Sequence, residues 1–231
     1  MLVNRTALVT GGTGGLGVAV TRELLADGWR VVVPWIAERE LERLGEADGL
    51  ELVRADLFDP ADAARCAERA ASDAGAPLRA VVNLVGGFAM GERVAETPVD
   101  DFEHQLRLNL RPTYLTAQAA VPHLLEAGGG AIVCMSSKAA LHPFPGAAGY
   151  VTSKAAVLGL VGALDAEYSR RGIRVNAVLP SMIDTPANRA SQPDADRSGW
   201  VSPERIAKVI AFLCGDESGV VSGAQVPVYG P

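Results

Sequence analysis

Eight residues, Thr10-Gly11-Gly12-Thr13-Gly14-Gly15-Leu16-Gly17, stand between an apolar run and a helical pattern and limit the possible folds more than any other segment. The run before them, Leu2–Val9, reads as a strand. The pattern after them, Gly15–Asp27, reads as a helix closed by Gly28. A glycine-rich turn between strand and helix gathers backbone N–H groups and the positive end of a helix at one point, a cradle for a dinucleotide pyrophosphate. Gly11 permits the tight turn. Gly15 and Gly17 let the backbone approach a phosphate and let the helix close on the sheet. Such a turn alone also occurs as a plain connection, so its weight depends on the rest of the chain.

The same βα alternation continues downstream. Strands are expected at Arg30–Pro34, Leu50–Arg54, Leu78–Val85, Ala131–Met135, Ile173–Leu179 and near Gln225–Val228. Helices are expected at Ala37–Leu44, Ala61–Ala74, Val99–Ala127 with a bend at Pro112, Tyr150–Arg171 and Ser202–Cys214. Regular alternation predicts an α/β fold: one Rossmann-like domain over residues 1–231, a doubly wound parallel sheet of about seven strands with helices on both faces. The long irregular stretch, residues 180–201, follows the sixth strand at the carboxyl edge where such sheets bind ligands. It is expected to act as a substrate or cofactor lid.

The net charge of −6 and the lack of a basic stripe argue against a nucleic-acid partner. The longest apolar stretch, Ala155–Leu164, is too short for a membrane span, and Leu2–Val9 runs into the glycine turn rather than a cleavage site, so a cytoplasmic protein is expected. The three cysteines, Cys66, Cys134 and Cys214, have no paired spacing, and the three histidines, His104, His123 and His142, form no ligand motif. The cysteines read as small buried residues, and no metal is expected. Asp100-Asp101 and Asp194 with Asp196 read as helix-capping and solvated charges.

Proton chemistry is carried by Tyr150-Val151-Thr152-Ser153-Lys154, preceded by Ser137. On a helix, Tyr150 and Lys154 share one face. A free phenol with a pKa of ~10 is a poor acid–base group at neutral pH. An ammonium about 4 Å away stabilises phenolate by roughly 4 kcal/mol at an effective dielectric of ~20, enough to bring its titration toward neutrality. Ser137 offers a neutral hydroxyl to a substrate oxygen on which charge develops. As a bare pair, a half-buried ring and a solvated ammonium would be the plainer reading of Tyr150 and Lys154.

Taken in order, Thr10–Gly17, Ala55-Asp56-Leu57, Asn83 with Gly86, Asn109, Ser137, Tyr150, Lys154 and Ile173-Arg174-Val175-Asn176-Ala177 leading to Pro180 and Thr185 resemble the short-chain dehydrogenase/reductases over essentially the whole chain. The resemblance implies an NAD(P)-dependent oxidoreductase that passes hydride between a nicotinamide and a ketone, aldehyde or quinone carbonyl, or a secondary alcohol in reverse. Tyr150 would be the general acid, Ser137 the carbonyl holder and Asn109 the anchor of a proton-relay water reached through Lys154. Lys154 would also bind the nicotinamide ribose. Asp56 beside Leu57 would meet the adenine, Asn83 and Gly86 would flank the cofactor, and Pro180, Ile183 and Thr185 would meet the nicotinamide. Thr10, Gly11, Thr13, Gly15, Leu16 and Gly17 would form the pyrophosphate turn. A homo-oligomer, dimer or tetramer, is implied, with Val99–Ala127 and the Tyr150 helix pairing across a two-fold.

Three positions depart from the family pattern. Asn83-Leu84-Val85-Gly86 matches only at its ends, and Pro180 is followed by Ser181. At the end of the second strand, where an acid would read a ribose hydroxyl and an arginine a 2′-phosphate, stand Trp35 and Ile36. NAD(H) and NADP(H) both remain candidates, and the lack of a basic clamp tilts the reading to NAD(H), with Arg39 the nearest candidate for a phosphate. A narrower likeness to dihydropteridine reductase lies in Gly86-Gly87-Phe88, Lys138-Ala139-Ala140-Leu141 and the stretch from Leu179 to Trp200. That branch lacks the serine and the relay asparagine, so Ser137 and Asn109 favour a carbonyl substrate over a quinonoid ring. A nucleotide-binding regulatory protein without chemistry is the third reading. Phe88, Met90, His142, Phe144, Met182 and Trp200 are the candidate pocket wall.

Overall fold

A computed structural model describes residues 4–230 of the chain. Its strands are β1 (Thr6–Thr10), β2 (Arg30–Trp35), β3 (Leu50–Arg54), β4 (Leu78–Asn83), β5 (Gly130–Met135), β6 (Ile173–Pro180) and β7 (Gln225–Val228). Its helices are α1 (Gly17–Ala26), α2 (Pro60–Ala71), α3 (Val99–Glu126), α4 (Ala148–Tyr168), α5 (Pro186–Ser191) and α6 (Pro203–Cys214). The strands form one 7-stranded sheet in the order β3-β2-β1-β4-β5-β6-β7, every pair parallel. The order reverses between β1 and β4, and sheets of this kind bind ligands outside the carboxyl ends of the strands at such a switch point.

Strand side chains alternate between two cores. Leu8, Val32, Val81, Ile132, Val175 and Leu179 pack with α2, α3 and α4. Ala7, Val9, Val31, Val33, Val82, Val133 and Val178 pack with α1 and α6. Burial on both faces explains why these strands read as unbroken apolar runs. The three cysteines lie in these cores, and burial pushes their thiols up to about 11 at Cys66 and about 12 at Cys134 and Cys214.

Three sequence expectations are corrected in detail. The first strand occupies Thr6–Thr10 rather than Leu2–Val9, and Leu2 and Val3 lie outside the described residues. The segment expected as a helix at Ala37–Leu44 forms a 3₁₀ helix, Glu38–Arg43, none of whose residues is buried. Short and without an apolar face, it lacks the packing that sustains an α-helix. Residues 180–201 are not irregular throughout: they contain α5, whose N-cap Thr185 accepts from Asn188 N–H with Pro186 in the first turn. An Ile183–Val201 bridge and an Asp184–Arg189 ion pair also tie this segment together. α3 continues through Pro112 and Pro122. Among the described residues no helix is long and apolar enough to cross a membrane.

Candidate active site

The glycine turn links β1 to α1 as its sequence requires. Gly11 has φ +68°, and its carbonyl accepts from Gly14 N–H at 3.0 Å. A Cβ on Gly17 would lie 2.0 Å from that carbonyl oxygen, so α1 can start here only with a bare backbone. A Cβ on Gly15 would come within 3.0 Å of Thr185, which brings the segment after β6 against the turn. Gly12, not singled out from the sequence, faces Val33, whose Cγ1 a Cβ would meet at 2.7 Å. No side chain caps the N-terminus of α1 at Leu16, so its first N–H groups fit an anion such as a pyrophosphate. Thr10 and Thr13 are buried beside them, and the Thr10 hydroxyl accepts from Leu84 N–H at 3.2 Å.

On the β2 side of the switch point, Trp35 ends β2 half-buried, and Ile36 is 65% exposed. Asp56 is exposed; one of its carboxylate oxygens accepts from Phe58 N–H at 2.9 Å, while Leu57 turns into the core. Asn83, at the end of β4, is buried. Its amide donates to Cys134 Sγ at 3.8 Å, and its carbonyl oxygen has no partner among the described residues.

On the β5 side of the switch point the residues expected to carry proton chemistry converge. Lys154 is 5% exposed, and its ammonium donates to Met135 O at 3.1 Å. Ser137 caps a single 3₁₀ turn, its oxygen accepting from Ala139 N–H at 3.1 Å, and its hydroxyl faces the Tyr150 phenol. Asn109 is buried on α3; its Oδ1 accepts from Gly87 N–H at 3.0 Å and its Nδ2 donates to Ser153 Oγ at 3.1 Å. Gly86 explains the close fit, because a Cβ there would stand 2.5 Å from Asn109 Oδ1 and 3.2 Å from Lys154 Nζ.

The expected electrostatics are corrected. Lys154 Nζ lies 6.0 Å from the centre of the Tyr150 ring, and burial raises the phenol above its ordinary value, offset in part by the Ser137 hydroxyl. The larger effect falls on the lysine, which burial pushes down to about 8. A buried ammonium loses hydration that a helix surface would have kept, and spacing along a helix does not reveal that.

Of the residues expected to form the pocket wall, Phe88 packs beside Tyr150 and Phe144 beside Phe88. The Phe88 ring meets Tyr150 edge-on at 4.9 Å and Phe144 at 6.4 Å. His142 turns to Tyr229 instead, at 6.4 Å, and Trp200 receives Arg197 over its ring at 5.7 Å. Met182 accepts from Val201 N–H through its carbonyl, and Met90 is 60% exposed. Pro180 is buried and Ile183 half-buried. Sequence reasoning missed three supports. Ser153 donates to Tyr150 O at 2.7 Å, Ser136 donates to Lys154 O at 2.8 Å, and Gln105 O accepts from Asn109 Nδ2 at 3.2 Å. Helical spacing was the available signal, since Ser153 follows Tyr150 by three residues and Gln105 precedes Asn109 by four.

A family model described as short chain dehydrogenase matches residues 5–196. The 2-(R)-hydroxypropyl-CoM dehydrogenase of Xanthobacter autotrophicus is 34% identical, with 99% of this chain and 98% of that protein covered. Cyclohexanol dehydrogenase of an Acinetobacter species is 32% identical, with 98% and 94% covered. A solved structure described as a short chain dehydrogenase/reductase family protein superposes with a TM-score of 0.89 at 31% identity, over 98% of this chain and 96% of that one.

Proposed function

We propose that this chain, which belongs to the short-chain dehydrogenase/reductase family, interconverts a secondary alcohol and its ketone using a nicotinamide dinucleotide. The observation that carries the reading is the convergence of Asn109, Ser137, Tyr150 and a buried Lys154 beside the glycine turn at the switch point. The uncapped start of α1 and the bare backbone at Gly15 and Gly17 suit the pyrophosphate, Asp56 the adenine, and Lys154 with Thr185 the nicotinamide end. When bound, the nicotinamide supplies or accepts the hydride at the substrate carbon.

The chain's own residues handle the oxygen. Ser137 donates a hydrogen bond to it, and Tyr150 delivers its phenolic proton as charge develops there. Lys154, with its pKa near 8, stands ready to stabilise the phenolate left behind, and Asn109 fixes the backbone around Gly87 and the helix beneath Tyr150. The names of the two dehydrogenase relatives, hydroxypropyl-CoM and cyclohexanol, both denote secondary alcohols, which supports an alcohol–ketone pair. The segment 180–201 covers the nicotinamide end in this reading, and the protein works as a homo-oligomer.

The test uses purified protein, NAD(H) and NADP(H), and panels of secondary alcohols, ketones and quinonoid pterins. Tyr150→Phe is expected to reduce alcohol–ketone turnover by about 10³-fold with cofactor affinity retained. Ser137→Ala is expected to cost about 10²-fold on ketones. Turnover of pterins alone, indifferent to Ser137→Ala, would replace this reading with reduction of a quinonoid ring. Tight cofactor binding without turnover of any panel, unchanged by Tyr150→Phe, would replace it with a regulatory one.

A further inference from the structure

We infer that Glu40 is the residue that selects the cofactor by its adenosine end, admitting NAD(H) and excluding NADP(H); the inference rests on the nicotinamide-dependent reading above. β2 ends at Trp35, Ile36 follows, and neither side chain accepts a hydrogen bond. The ribose end of the cofactor site would then lack an acceptor. The 3₁₀ segment that follows supplies one from a place the linear pattern does not mark. Glu40 Oε2 accepts from the Thr13 hydroxyl at 2.7 Å, and Thr13 is a glycine-turn residue only 5% exposed. Arg43 Nη1 donates to the Thr13 carbonyl at 3.3 Å and lies 3.7 Å from Glu40 Oε1. Arg22 of α1 donates to the Arg43 carbonyl at 2.7 Å.

The segment is thus stitched to the glycine turn at Thr13 and to α1 at Arg22, and Glu40 is the one acid on it turned to the turn. Glu38 and Glu42 are exposed to solvent, as is Arg39. A fixed carboxylate accepts hydrogen bonds from ribose hydroxyls and repels a 2′-phosphate of about two negative charges. Arg43 is the guanidinium that touches the turn, at the Thr13 carbonyl. Its charge is shared between Glu40 and the Thr13 carbonyl, so it offers a phosphate less than a free arginine would.

Binding of NADH and NADPH is measured separately by tryptophan fluorescence and calorimetry on the wild type and on Glu40→Gln, Glu40→Asp and Arg43→Gln, with a thermal melt of each. The wild type is expected to bind NADH about 30-fold or more tighter than NADPH. Glu40→Gln keeps the hydrogen-bonding shape and removes the charge. It is expected to raise NADPH affinity about tenfold while NADH changes by no more than about threefold. Glu40→Asp, which keeps the charge, is expected to retain the NADH preference, and Arg43→Gln to leave the ratio within about threefold. A wild type that prefers NADPH and loses that preference in Arg43→Gln would overturn the inference and make Arg43 the reader of a phosphate. So would a ratio unchanged by Glu40→Gln in a protein that melts normally. If the wild type bound neither nucleotide, the nicotinamide reading itself would fall.

Discussion

Cations line both ends of the sheet, and they are satisfied in opposite ways. At the amino edge, Arg79 donates to Ala127 O at 2.7 Å and Arg174 donates to Leu213 O and Gly215 O at 2.9 Å each. Arg30 reaches Ala70 O and Arg69 O, each at 3.2 Å, and pairs with Glu51. Each arginine closes the carboxyl end of a helix, α3, α6 or α2, where carbonyls outnumber donors and the helix dipole favours a positive charge. At the carboxyl edge, Lys154 has three donors and one recorded acceptor, Met135 O, while Asn83 keeps an oxygen without a partner among the described residues. The amino edge also holds a cavity of about 540 Å³ lined by Arg5, Arg79 and Arg174. Its arginines are already spent, Arg5 stacking on Trp29 at 4.2 Å. A cavity lined by cations does not by itself mark a binding site when those cations already have partners. What marks a working end is polar capacity left open after folding.

The difference is sharpened most by removing Lys154. Lys154→Met is expected to lower turnover by about 10³-fold while making the fold more stable at pH 7 by about 2–3 kcal/mol. The sign comes from burial, which lowers the lysine from 10.5 to about 8. Between those values the folded chain binds fewer protons at this site than the unfolded chain, so stability rises with pH across that window. Below pH 8 the cost of the buried charge is constant, and above 10.5 it vanishes. Denaturation of wild type and variant from pH 7 to 10 should show their stability gap closing as pH rises. The difference is the useful quantity, because the raised thiols of Cys66, Cys134 and Cys214 give both proteins an opposite slope above pH 9. A variant less stable than wild type at pH 7 would place Lys154 among the structural cations.

Arg174→Met tests the other edge. Three carbonyls, Leu213, Gly215 and Val221, would lose donors, and a loss of about 2–4 kcal/mol is expected with kcat/KM within twofold of wild type. Denaturant unfolding and steady-state kinetics on one preparation decide it. A fall in activity without a fall in stability would erase the distinction between the edges.

How far each edge could be read from the chain follows the same division. The glycine turn and the shared helix face of Tyr150 and Lys154 were legible because turn geometry and helical spacing are local, whereas Asn109 was reached only through the resemblance to a family. The parallel sheet was legible because strands buried on both faces carry unbroken apolar runs. The direction of the Tyr150 shift was not legible, since it depends on how deeply α4 sinks against β5. Glu40 was passed over because Thr13 and Glu40 meet only after β2 and its connection fold back over the turn. The α5 cap, Thr185-Pro186, carried an ordinary local signal that the length of the surrounding loop obscured. Arg174 appeared in a recognised motif, yet its contacts with the end of α6 are tertiary and give the motif a structural reason.

The smallest expected effect lies at the mouth of the working edge. Phe88 is 53% exposed and lies beside Phe144, 40% exposed, so two apolar rings face solvent together next to Tyr150. The Phe88 ring stands edge-on to Tyr150, so it can act on the substrate or on the phenol, and the two roles separate kinetically. If Phe88 contacts substrate, Phe88→Ala raises KM about fivefold and leaves kcat within twofold, in keeping with the roughly 0.5–1.5 kcal/mol of an aromatic contact. If it instead holds the Tyr150 ring in place, kcat falls and the pH profile of turnover moves while KM stays. Little stability is at stake, because an exposed ring leaves only a small cavity behind; a melting point lowered by more than about 4 °C would show that Phe88 belongs to the packing rather than the pocket.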